Sequence, residues 1–166
     1  MRQKAFTFIL ALMFGFQLSA QTSTVEKPYH PDADAKKELA AAVAKAAQEK
    51  KHVFVMIGGN WCKWCLAFNS MVNNTPDVKK MLTDNYEVVH LNYSKENKNM
   101  DILAQLQHPE RFGFPVFVIL DGKGNLLHTQ NSAYLEAKDS SVGHDPQVVK
   151  KFLEGWTYKA LDPATY

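Results

Sequence analysis

The chain is poor in cysteine, with two in 166 residues, three positions apart. Two thiolates make half of a tetrahedral metal set, and no two of the six histidines stand three to five residues apart, so metal ligation has no support in the pattern. An excess of charge is missing as well. The 19 Lys and Arg face 17 Asp and Glu; Arg2 and Lys4 precede Ala20, where no acidic residue occurs, so residues 21–166 carry 17 of each sign. Electrostatics therefore indicate neither a nucleic-acid partner nor an anionic membrane surface. The sequence has no internal repeat and no low-complexity block. No apolar run reaches the roughly 20 residues of a membrane-spanning helix.

Residues 1–20 read as a signal peptide. Arg2 and Lys4 form a basic start, Ala5 to Phe16 is almost unbroken apolar chain, and Leu18-Ser19-Ala20 offers a small residue for cleavage before Gln21. An uncleaved anchor is the alternative, and the absence of a cysteine after the cleavage point disfavours a lipid-anchored form. The expected localisation is exported, periplasmic or secreted. Residues 21–33, polar and with Pro28 and Pro31, read as a loosely ordered lead-in, and residues 34–166 as one domain with a single core.

Both cysteines fall in Gly58-Gly59-Asn60-Trp61-Cys62-Lys63-Trp64-Cys65. The apolar run Val53 to Ile57 is the length of a buried strand, ended by the glycine pair, and Cys62 then opens a helix. One turn on, Cys65 lies on the same face, within reach of a disulfide. Cys62 faces unpaired backbone N–H groups and the positive end of the helix dipole, with the charge of Lys63 beside it, all of which favour thiolate. Burial of Cys65 disfavours its charged form. Cys62 is thus the attacking thiolate and Cys65 the resolving thiol. A static structural disulfide is the plainer alternative, but so short a loop constrains little of the unfolded chain.

An Ala-rich helix is expected over Lys36 to Lys50, capped by Asp32 or Asp34, with Leu39, Val43, Ala46 and Ala47 facing inward. After the active-site helix, Cys62 to about Val72, Thr75 and Pro76 read as the cap and first position of a second helix. Tyr86 to Tyr93 reads as a strand containing His90, which receives no functional role. Met100 to Gln107 has helical spacing and must stop before Pro109. The runs Val116 to Leu120 and Asn125 to Thr129, joined by Asp121-Gly122-Lys123-Gly124, form an antiparallel hairpin. Thr129 to His144 reads as a solvated loop, with partner contact as the alternative. A last helix starts at Asp145 and Pro146, with Val149, Phe152, Leu153 and Trp156 inward. This order argues for α/β layers with parallel strands joined through helices and a hairpin at one edge.

From about Asp34 to Trp156 the sequence resembles the thioredoxin-fold family, in particular exported bacterial proteins with a Trp-Cys-x-Trp-Cys site. The resemblance is carried by Trp61-Cys62-Lys63-Trp64-Cys65, Thr75-Pro76-Asp77, Gly113-Phe114-Pro115 and Asp121-Gly122-Lys123-Gly124. It implies a central mixed β-sheet flanked by helices and a thiol:disulfide oxidoreductase, directed to reduction or interchange. By the same resemblance Pro115 matches a cis-proline beside the disulfide and Phe114 flanks a substrate groove. Trp61, Lys63, Trp64, Phe114 and Pro115 are the candidate substrate-binding residues, core packing being the plain alternative for the aromatics. Expected partners are protein thiols and disulfides and a membrane electron donor, without a cofactor or metal. The sequence departs from ordinary thioredoxins at Met56, where they carry a buried aspartate, and at Lys63-Trp64, where they carry Gly-Pro. A non-catalytic adaptor that binds extended peptide along Phe114-Pro115 is the competing expectation, and peroxide reduction a weaker third.

Overall fold

The computed structural model describes residues 27–139 and 142–165, so the expected signal peptide and the first part of the lead-in lie outside the described residues. Helix α1 spans Ala35–Glu49 and is capped by the Asp34 side chain, which accepts from the Lys37 N–H at 3.2 Å. Lys50, in the left-handed region at φ 53°, ends it and turns the chain into β1, His52–Gly58. Two helices, α2 over Lys63–Asn74 and α3 over Pro76–Asn85, return the chain to β2, Tyr86–Asn92, which pairs parallel with β1. Helix α4, Met100–Gln105, leads through a short 3-10 turn to β3, Val116–Leu120, antiparallel to β1. The edge strand β4, Leu126–Asn131, pairs antiparallel with β3, and α5, Pro146–Gly155, closes the layer. The sheet order is β2-β1-β3-β4.

Alternation along the central strands divides the core in two. Val53, Val55 and Ile57 of β1 join Val116, Val118 and Leu120 of β3 under α1 and α4. Phe54 and Met56 point the other way, with Phe117 and Ile119, into a cluster with Phe68, Val78, Leu82, Val149 and Leu153 from α2, α3 and α5. Every residue of β1 is buried because strands flank it on both sides and helices cover both faces. Each large apolar side chain so buried contributes about 1.5–3 kcal/mol.

Several expectations need correction. Thr75 occupies the cap position of α3, but its side chain makes no capping hydrogen bond; Pro76 in the first turn is the start signal that acts. Helix α4 stops at Gln105, two residues short of the expected end. Gln107 and His108 take left-handed backbone angles of 62° and 55° ahead of Pro109, whose ring disfavours the helical region in the residue before it. Lead-in residues 27–33 are not loose, since Tyr29 is buried in the domain.

The segment from Thr129 to His144 is more than a solvated loop. Pairing of Phe117 with Gln130 and Val116 with Asn131 prolongs β4 past Thr129. A 3-10 turn over Ser132–Leu135 follows, and an antiparallel bridge joins Glu136 to His144. Leu135 is buried in the α2–α3–α5 cluster. His144, 4% exposed, sets its ring against Phe68, Trp64 and Phe117 at centroid distances of 5.0, 5.9 and 6.3 Å. Both ring nitrogens are buried without a hydrogen-bond partner among the described residues, and burial pulls the pKa down to about 4.

This histidine makes folding sensitive to mild acid. With the folded pKa near 4 and the ordinary value at 6.5, the unfolded chain takes up the proton first as pH falls. The stability tied to neutral His144 is whole above about pH 6.5 and is lost from there down to about pH 4, by roughly 3 kcal/mol. Urea unfolding of the wild type and His144→Phe at successive pH values should show their stability difference changing by about this amount over that window. Parallel profiles would refute the assignment.

Candidate active site

The site is built where β1 ends. The β1–β3 ladder closes at the pair Ile57 and Val116, so Gly58 and Pro115 stand one step beyond it, at the same end of the sheet. From Gly58 the chain turns through Gly59, Asn60 and Trp61 to Cys62, the N-cap of α2, with extended backbone angles. The Cys62 sulfur accepts a hydrogen bond from the Cys65 N–H at 3.1 Å, the capping role that an oxygen usually fills. Cys62 and Cys65 are joined in a disulfide with their Cα atoms 5.2 Å apart, inside the ordinary range.

The two sulfurs have unequal surroundings. Cys62 lies at the positive end of α2 and receives one of the helix's orphan N–H groups, an arrangement that favours its thiolate once the bond opens. Cys65, 0% exposed, lies inside the first turn. Lys63 is exposed in that turn. Met56, where ordinary thioredoxins carry an aspartate, is buried among Phe54, Phe68 and Phe117, so no carboxylate lies on that part of β1.

The expected aromatic neighbours divide by role. Trp61 is 59% exposed; its indole N–H donates to the Tyr93 carbonyl at 2.7 Å, and its ring meets Phe114 edge to face at 5.6 Å. Phe114, half-buried, also packs on the Tyr93 ring at 4.7 Å, and its peptide bond to Pro115 is cis. Trp64 is half-buried and packs against the cysteine pair and His144. Beside Trp61 opens a cavity of about 550 Å³, lined also by Pro31, Asn60, Tyr93, Lys95 and Lys98. Among the described residues no group of three His, Cys, Asp or Glu could hold a metal ion.

Sequence reasoning missed Tyr29. It forms a buried cluster with Cys62 and Cys65, held there by the Asn60 amide, which accepts from the Tyr29 N–H at 3.2 Å and donates to the Tyr29 carbonyl at 2.6 Å. The Asn97 side chain adds a bond to the Pro31 carbonyl at 3.1 Å. One signal was in the sequence: a lone aromatic between Pro28 and Pro31 in an otherwise polar segment.

The close fit explains Gly58. A Cβ there would lie 2.5 Å from Cys65 Sγ and 3.0 Å from Tyr29 Oη, and neither the disulfide nor the buried ring is free to withdraw. Gly58→Ala should therefore cost the oxidised protein about 1–3 kcal/mol in denaturant unfolding. Gly155→Ala at the end of α5, where a Cβ meets nothing within 4 Å, is the control and should be neutral or mildly stabilising. Equal stability for both variants would show that the site is less tightly packed than described.

A family model described as Thioredoxin-like matches residues 34–122. Among solved structures, the disulphide isomerase from Xylella fastidiosa Temecula1 superposes with a TM-score of 0.67 at 22% identity, over 79% of this chain and 97% of that one. A DsbH oxidoreductase superposes with a TM-score of 0.49 at 21% identity, over 69% of this chain and 78% of that one. No curated protein sequence matches. The likeness to the Xylella protein is one of fold, a mixed four-stranded sheet flanked by helices.

Proposed function

The chain belongs to the thioredoxin-like family, and from that membership we propose that it is a thiol:disulfide oxidoreductase acting on protein thiols and disulfides outside the cytosol, in the direction of reduction or interchange. The observation that carries the reading is the Cys62–Cys65 disulfide at the start of α2, with the Cys62 sulfur capping the helix at 5% exposure and Cys65, 0% exposed, inside the first turn. A static staple has no use for this asymmetry, whereas disulfide exchange depends on it.

In the reducing direction the Cys62 thiolate attacks one sulfur of a substrate disulfide. A Cys62–substrate bond forms and the other substrate sulfur leaves as a thiolate. Cys65, having lost its proton to water or to that leaving thiolate, then attacks the Cys62 sulfur. The mixed disulfide breaks, the second substrate thiolate departs, and the pair closes. The substrate has gained two electrons and the protein has lost two, which an electron donor must restore before the next turnover. The expected export signal supports a membrane-bound donor, since the cytosolic thiol pool does not reach an exported protein. We place the substrate chain along Phe114 and Pro115, with Trp61 and the cavity beside it as the apolar contact surface and Lys63 at the rim.

Purified protein equilibrated with glutathione buffers should interconvert between dithiol and disulfide, at a potential between about −270 and −120 mV, the span of this fold. Cys62→Ser should reduce turnover on a disulfide-bonded protein substrate to background. Cys65→Ser should accumulate a mixed disulfide that dithiothreitol releases. A pair that never exchanges, with Cys65→Ser trapping nothing while peptide binding persists, would identify a non-catalytic adaptor instead.

A further inference from the structure

Tyr29 stands against the disulfide, and the exchange steps above leave it unused. The residue is 1% exposed, and its hydroxyl is buried without a hydrogen-bond partner among the described residues. Its position is fixed by the Asn60 clamp on its backbone and by His90 of β2, whose ring meets it edge to face at 5.4 Å. The Tyr29 hydroxyl and the Cys65 sulfur close on the same point over the Gly58 Cα, 3.0 and 2.5 Å from where a Cβ would be.

An unpartnered phenol hydroxyl in a buried site is unfavourable, and buried tyrosines usually satisfy it. Tyr86 in this same protein does so, donating to the Leu153 carbonyl at 2.5 Å. In the oxidised state Tyr29 therefore carries a donor that serves no contact. The opposite deficit arises when the disulfide opens, because a thiolate forming at fully buried Cys65 has been removed from water and needs a donor.

We propose that the Tyr29 hydroxyl is the hydrogen-bond donor to the Cys65 sulfur in the reduced and mixed-disulfide states, a positioning residue that stabilises the Cys65 thiolate as it attacks. The proposal rests on the oxidoreductase reading and deepens it. Burial raises the pKa of Tyr29 beyond its ordinary range, so the phenol keeps its proton and acts as a donor rather than a base. The bond changes remain those of the resolving step: the Cys62–substrate bond breaks, the Cys62–Cys65 bond forms, and the Cys65 proton goes to water or to the leaving thiolate. Tyr29 lends a hydrogen bond and transfers nothing. With Met56 in place of a carboxylate, the stabilisation comes from a donor on the lead-in instead of a proton acceptor on β1. Among the described residues, other titratable groups near this turn include the exposed Lys63, His90 through Tyr29, and His144 through Trp64 and Phe68.

The test is Tyr29→Phe, which removes the hydroxyl alone. In a Cys62→Ser background, titration of Cys65 by thiolate absorbance should show the thiolate fraction at neutral pH falling by about tenfold or more. With both cysteines present, the equilibrium with glutathione should move toward the protein disulfide, by less at neutral pH than at the alkaline pH where Cys65 is thiolate. The melting temperature of oxidised Tyr29→Phe should not fall, because the hydroxyl has no partner in that state, while that of the reduced form should. An unchanged Cys65 titration would overturn the proposal, as would equal destabilisation of both redox forms, the mark of a merely structural ring. Failure of this inference is distinct from failure of the functional reading. A wild-type pair that exchanges with glutathione while Tyr29→Phe alters neither titration nor equilibrium refutes only the donor role. A wild-type pair that never exchanges refutes the oxidoreductase reading, and the Cys65 titration still decides the hydrogen bond.

Discussion

The site depends on one hydrogen bond, from the Cys65 N–H to the Cys62 sulfur, which makes a cysteine the cap of α2. A cap of this kind works only if the helix begins at a fixed point, and the fold supplies that point through β1. The strand is buried along its whole length, and its register with both neighbours leaves no freedom to slide, because a one-residue slip would exchange the contents of the two core clusters. Gly58 ends the strand where the Cys65 sulfur needs the space that a side chain would take. The backbone there is also tied to β2, through the Tyr93 N–H to the Gly58 carbonyl at 2.5 Å. The core thereby sets the position of the sulfurs.

The same core leaves the site short of groups that move protons. On the α2 side of β1, Phe54 and Met56 present only apolar surface beneath the helix. A buried histidine on that side, His144, is held neutral among aromatic rings, and it arrives from the segment before α5. Around the disulfide itself the buried partners are Tyr29 and, half-buried, Trp64 and Phe114. Electrostatic control of the pair therefore falls to the helix terminus and to hydrogen-bond donors, both of which favour thiolates without accepting a proton.

What could be read from the sequence was the part governed by local rules. The run Val53 to Ile57 could be read as a buried strand because it is short, apolar and closed by glycines. The hairpin was legible because Asp121 accepts from the Lys123 and Asn125 N–H groups at 2.8 Å and Gly124 takes a φ of 81°, a turn that these residue types announce. The starts of α1 and α5 followed from capping chemistry in the same way, and the cysteine pair from its spacing. The errors lie where tertiary contacts override composition. Nothing local reports that Asn60 reaches back to clamp Tyr29, or that a polar stretch after Thr129 returns Leu135 and His144 to the core. Thr75 was the right residue type for a cap, but type alone does not orient a hydroxyl.

These omissions share a location. Residues 34–122 match the family model and contain strands β1, β2 and β3, the cysteine pair and the cis Phe114–Pro115 bond. Tyr29 and His144 fall on either side of that span, one before α1 and one after β4, and both pack on the first turns of α2 or its neighbours. The shared span therefore fixes where the disulfide stands and supplies Trp64 and Phe114 beside it, while the flanking segments add Tyr29 and His144 to its surroundings. The lead-in has a double position, because Pro31 lines the cavity beside Trp61 while Tyr29, two residues earlier, lies against the cysteines. A polypeptide entering that cavity would press on the segment that carries the Tyr29 hydroxyl. Under the proposed function, the surface that meets the substrate and the group that stabilises the resolving sulfur are thus parts of one short stretch of chain.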